Sequence, residues 1–151
     1  MAEGLGAALG VSVEYPRLSE ENMSVEAWSK PMGCLVAALG PQDLVVAHSF
    51  AASILLHVLG AGDIAPTRAI LLAMPNWGPS GWQVADYDYD GPEPATALAL
   101  HHCRDDQVVP FEHLALNAAV LPSASGHEHS QGGHQFDALL ATIAEGPTLT
   151  G

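Results

Sequence analysis

The stretch Leu44-Val45-Val46-Ala47-His48-Ser49-Phe50-Ala51-Ala52 decides the reading of this chain. Leu44–Ala47 is a continuous apolar run, the pattern of a strand buried on both faces of a parallel sheet. It passes through His48 and Ser49 directly into Phe50–Leu59, which reads as a helix closed by Gly60 and Gly62. So tight a strand-to-helix turn forces its central residue into a strained conformation. The positions two before and two after that residue must be small, and here they are Ala47 and Ala51. Such a turn exposes the Ser49 hydroxyl at the carboxyl edge of the sheet. It also aims the first N–H groups of the helix at the same point, so the Phe50 N–H is a candidate oxyanion donor. The competing reading is a serine that merely caps a helix.

Working outward, short apolar runs alternate with longer helical patterns, which signals an α/β fold. Val11–Tyr15 alternates like a strand and ends at Pro16. Residues 24–39 read as a helix capped by Ser24, with Val25, Trp28, Met32, Leu35 and Leu39 on one face and Pro31 inside. Ala69–Ala73 and Thr96–His101 read as buried strands, and Ser123–His129 as a further short one. Phe111–Val120 and Phe136–Ala144 read as helices. Residues 75–94, rich in Pro, Gly, Trp, Tyr and Asp, form an excursion from a single domain spanning 1–151. The expected architecture is a three-layer sandwich around a mostly parallel sheet.

A serine hydroxyl is a weak nucleophile until a base takes its proton. Where this turn carries a nucleophile, the acid and the base follow in the order Ser…Asp…His. After the strand ending in His101-His102-Cys103 comes Arg104-Asp105-Asp106-Gln107-Val108-Val109-Pro110. Asp106 has the right place and spacing for the orienting carboxylate, with Asp105 as the alternative. Gly132-Gly133-His134-Gln135-Phe136 then supplies His134 as base, in a loop that two glycines let turn sharply. His48, Trp77 and Trp82 are candidates for the substrate pocket, as are Tyr87 and Tyr89 in the excursion.

Composition narrows the partners. Seventeen acidic residues against four basic ones give a net charge of −13. Such a surface repels phosphate backbones, which argues against nucleic acid. No apolar run reaches the ~20 residues of a membrane helix, and Met1–Gly10 lacks a basic leader region, so the cytoplasm is the expected compartment. Cys34 and Cys103 stand in apolar contexts and read as buried, reduced thiols. His127, Glu128, His129 and His134 raise a metal site as a rival, with His101 and His102 nearby in sequence, but no metal-binding spacing supports it. Asp86, Asp88 and Asp90 begin like a calcium loop, yet its closing glutamate position is Ala97. The reading needs neither metal nor cofactor, only a small ester-type substrate.

Four motifs resemble those of small serine hydrolases of the α/β-hydrolase superfamily, related to retinoblastoma-binding-protein-type hydrolases. They are Val13, Tyr15, Pro16 and Glu20 before Trp28; Ala73, Pro75, Trp77, Gly78, Gly81 and Trp82; His102, Asp105, Asp106, Val108, Val109, Pro110 and His113; and Gly132 to Phe136. The resemblance runs from about Gly10 to Ile143. It implies a carboxylesterase-like Ser49–His134–Asp106 triad. Two departures matter. Ala47 stands where glycine is usual. Met1–Gly6 reads as the tail of a first helix, so the family's first strand, and the His-Gly loop that gives a second oxyanion donor, are expected to be missing. That departure supports an alternative: a catalytically weak or inactive binding protein on the same fold.

Overall fold

The computed structural model describes residues 1–62 and 66–144. Four strands form the sheet: β1 (Leu44–His48), β2 (Arg68–Leu72), β3 (Ala97–Cys103) and β4 (Ser125–His129). They lie in the order β1-β2-β3-β4 and every pair is parallel. The helices are α1 (Ala2–Leu9), α2 (Val25–Ala37), α3 (Phe50–Ala61), α4 (His113–Val120) and α5 (Leu140–Ala144).

Parallel strands need crossovers, and amphipathic helices must bury their apolar stripes on the sheet. Both needs are met by two layers of helix. On one face Met32 and Val36 of α2, Ile54, Leu55 and Leu59 of α3 and Leu114 of α4 pack against Ala47, Ala69, Leu71, Leu98 and Leu100. On the other, Leu5 of α1 and Ile143 of α5 pack with Phe136 against Leu72 and Cys103. The result is a three-layer α/β sandwich. The excursion 75–94 links β2 to β3 without a helix and is tied down by side chains. Asn117 donates its amide to the Met74 carbonyl (2.8 Å) and accepts from the Asn76 amide (3.1 Å), while the Asn76 N–H donates to His113 Nδ1 (2.7 Å).

Three expectations are corrected. Val11–Tyr15 is not a strand: Val11, Val13 and Tyr15 are exposed. Alternation alone cannot form a strand, because the backbone needs a neighbouring edge to pair with, and β1 pairs with β2 only among the described residues. Phe136 does not begin a helix. Both Phe136 and Ala138 have positive φ (56° and 61°), so 132–139 is turn and the helix starts at Leu140. Cys34, expected inside, is exposed on α2, whereas Cys103 is buried. Burial and the nearby Asp105, Asp106 and Asp137 push the Cys103 thiol up to about 11, so it stays protonated.

Candidate active site

Ser49 sits between β1 and α3 with φ 56° and ψ −126°. The turn is pinned by its own N–H, which donates to the Leu72 carbonyl of β2 (2.8 Å). Its hydroxyl does not cap the helix. It lies instead 3.1 Å from His134 Nε2. That geometry disfavours the simple capping role. At the head of α3 the N–H groups of Phe50 and Ala51 have no hydrogen-bond acceptor among the described residues. Unpaired N–H groups and the helix dipole make this a place for developing negative charge.

His134 Nδ1 lies 2.9 Å from Asp106 Oδ2. A carboxylate only accepts, so Nδ1 carries the proton and Nε2 presents its lone pair to the Ser49 hydroxyl. Asp106 is held just beyond β3. Its Oδ1 accepts from the Val108 N–H (2.8 Å) and the Val109 N–H (3.0 Å). The Asp106 side chain is fully shielded from solvent. Burial pushes its carboxyl up, but the bonds from His134, Val108 and Val109 outweigh that and hold it below the ordinary carboxylate value. It therefore stays ionised beside the imidazole.

The two adjacent aspartates, left as alternatives by the sequence, have separate partners. Asp106 holds the His134 ring. Asp105 holds the loop, accepting from the N–H groups of Gly132 (3.2 Å) and Gly133 (2.8 Å). Gly132 has φ +132°, a backbone conformation that residues with a Cβ rarely adopt, so glycine suits this approach to His134.

The pocket candidates separate as well. Trp77 donates its indole N–H to Ser53 Oγ (2.8 Å) and meets the rings of Phe50, Trp82 and Tyr87 at centroid distances of 6.1, 5.0 and 4.9 Å. It lines a small cavity with Ser53, Met74 and Tyr87, to which neither His48 nor Trp82 contributes. Trp82 packs edge-on against His113 (5.2 Å). His48 faces the loop that carries His134: its Nε2 donates to the His134 carbonyl at 2.7 Å. The contact joins residues 86 positions apart, and no local signal in the sequence announces it.

Three further histidines of the sheet, His101, His127 and His129, form a cluster of their own, whereas His102 of β3 donates from Nε2 to the Val109 carbonyl (2.9 Å). His101 stacks on His127 at 4.4 Å with 14° between planes, and its Nδ1 lies 3.0 Å from His129 Nε2. Among the described residues no group of three or more ligating side chains is placed to hold a metal ion. No described helix is long and apolar enough to cross a membrane.

No protein-family model matches the chain, and no curated protein sequence does either. Solved structures do. The ydeN gene product from B. subtilis superposes with a TM-score of 0.70 at 20% identity, over 91% of this chain and 83% of that one. Alpha/beta hydrolase domain-containing protein 10 from mouse gives 0.65 at 17% identity, over 94% and 78%. The esterase domain of a Rhodothermus marinus protein gives 0.64 at 18% identity, over 95% and 75%.

Proposed function

The fold is that of the α/β hydrolases, and from that premise we propose that the protein is a serine hydrolase acting on a small ester or related acyl substrate. The observation that carries this reading is the unbroken run of contacts from Ser49 Oγ to His134 Nε2 (3.1 Å) and from His134 Nδ1 to Asp106 Oδ2 (2.9 Å). The fold shared with an esterase domain supports the substrate class.

In the mechanism, Ser49 Oγ attacks the acyl carbon as its proton passes to His134 Nε2. Asp106 keeps the imidazole oriented and stabilises the imidazolium that forms. The oxygen that gains charge turns toward the Phe50 N–H. Collapse breaks the bond to the leaving alcohol, which takes the proton from His134. Water then gives a proton to the same base and attacks the acyl-enzyme, releasing the acid and restoring Ser49. Trp77 and the adjoining aromatic rings stand close enough to Phe50 to shape the acyl side.

A second reading has an observation of its own. Among the described residues β1 is paired on one side only, so no neighbouring strand delivers a second oxyanion donor opposite Phe50. Loss of one such donor typically costs ~10²–10³ in turnover. On this reading the protein binds acyl ligands and turns them over slowly. A fluorophosphonate probe and p-nitrophenyl acetate separate the readings. Labelling of the parent but not of Ser49→Ala, with steady turnover, supports the hydrolase. Labelling with only slow turnover, little above that of the buffer, favours the binding protein. Folded parent protein that neither labels nor turns over overturns the nucleophile assignment.

A further inference from the structure

We propose that His48 is a positioning residue for the base, an inference that rests on the hydrolase reading above. His48 ends β1 and is joined by one peptide bond to Ser49. The reversal at Ser49 sends the two side chains different ways. Ser49 Oγ meets the tip of the His134 ring, whereas His48 Nε2 reaches the His134 backbone carbonyl at 2.7 Å. The two imidazoles lie 4.6 Å apart, and the His48 ring meets Phe136 edge-on at 6.4 Å.

The protonation state follows from the partner. A carbonyl only accepts, so His48 Nε2 carries a proton. Burial favours the neutral ring and lowers the His48 pKa, against the opposing effect of the carbonyl contact. A neutral ring here is needed. A second cation beside His134 would disfavour the imidazolium that the reaction forms.

The loop 132–136 is thus held from both sides of the base. Asp105 grips the Gly132 and Gly133 N–H groups ahead of His134. His48 grips the carbonyl behind it. The second grip comes from the strand that carries the nucleophile, so it fixes the base relative to Ser49 with the fewest intervening joints. Two glycines with positive φ, Gly132 and Gly133, precede the base and lower the stiffness of the loop itself. External tethers must supply the stiffness, because a misplacement of about 1 Å costs up to ~10²-fold in rate.

The test compares His48→Leu, which keeps apolar bulk but donates no hydrogen bond, with His48→Gln, whose amide N–H reaches the same carbonyl. For His48→Leu, kcat for p-nitrophenyl acetate is expected to fall about 10- to 100-fold with KM changed less than about twofold, the signature of a lost orienting contact. His48→Gln is expected to restore kcat to within about threefold of the parent. Amide hydrogen exchange at 132–136 gives a readout independent of turnover: faster in His48→Leu, parent-like in His48→Gln. Unchanged exchange in His48→Leu overturns the proposal, as does equal loss of kcat in both variants. Failure of the parent to label at Ser49 strikes the hydrolase reading instead, and the exchange result still decides whether His48 holds the loop.

Discussion

The buried imidazole of His101 ties the stability of this fold to pH. His101 lies in β3 with 5% of its surface exposed. Burial lowers its pKa from 6.5 to about 3, helped by the neighbouring His127 and His129 rings, and no carboxylate opposes the shift. The unfolded chain therefore binds a proton at a pH where the folded chain does not. The stability concerned is fully present above the unfolded value of 6.5 and is lost as the pH falls from there toward 3. At pH ~5 the loss from this one ring is about 2 kcal/mol, a sizeable share of the roughly 5–15 kcal/mol of a typical domain. His129 and His48, also lowered by burial, act with the same sign. The assay is urea unfolding of the parent and His101→Gln at pH ~8 and pH ~5, comparing each protein with itself so that any fixed cost of the substitution cancels. The variant is expected to lose about 2 kcal/mol less than the parent over that interval. Losses equal to within about 0.5 kcal/mol would refute the reasoning, because they would mean that His101 takes up its proton equally well folded and unfolded.

Three further outcomes follow from the site and its supports. Asp106→Asn leaves the shape intact but removes the acceptor that fixes the His134 tautomer; kcat for p-nitrophenyl acetate is expected to fall about 10⁴-fold, and a fall of less than tenfold would remove Asp106 from the triad. Ser49→Gly relieves the positive φ of 56°; the variant is expected to be about 1 kcal/mol more stable in urea while losing fluorophosphonate labelling, and a less stable variant would show that the turn holds no strain. Asn117→Ala leaves the Met74 carbonyl and the Asn76 amide without their partners; a loss of about 1–3 kcal/mol is expected by thermal unfolding, and a neutral result would mean that the network does not anchor the excursion.

Legibility in the sequence followed how local each signal is. The turn at Ser49 was readable because an apolar strand, a serine flanked by small residues and a helix lie within nine positions. The positions of Asp106 and His134 were readable because each follows a strand in a fixed order. The structure brings their side chains together. Helix α2 was readable from Ser24, whose hydroxyl accepts from the Ala27 N–H (3.2 Å). Val11–Tyr15 misled because its alternation reports suitability for a sheet and carries no information on whether an edge is within reach. Phe136 misled because its apolar character is spent on filling the core from a turn rather than from a helix face.

The sequence by itself determined the layer architecture and the strained serine turn, since both are written in periodicity and in short-range sterics. Tertiary structure alone decided which aspartate holds the ring and which holds the loop. It also turned His48 from a pocket candidate into a tether for His134. Both outcomes depend on contacts spanning 27 to 86 positions. The physical reason is direction: a sequence states which groups can donate or accept, but only the packed chain settles which of them face each other.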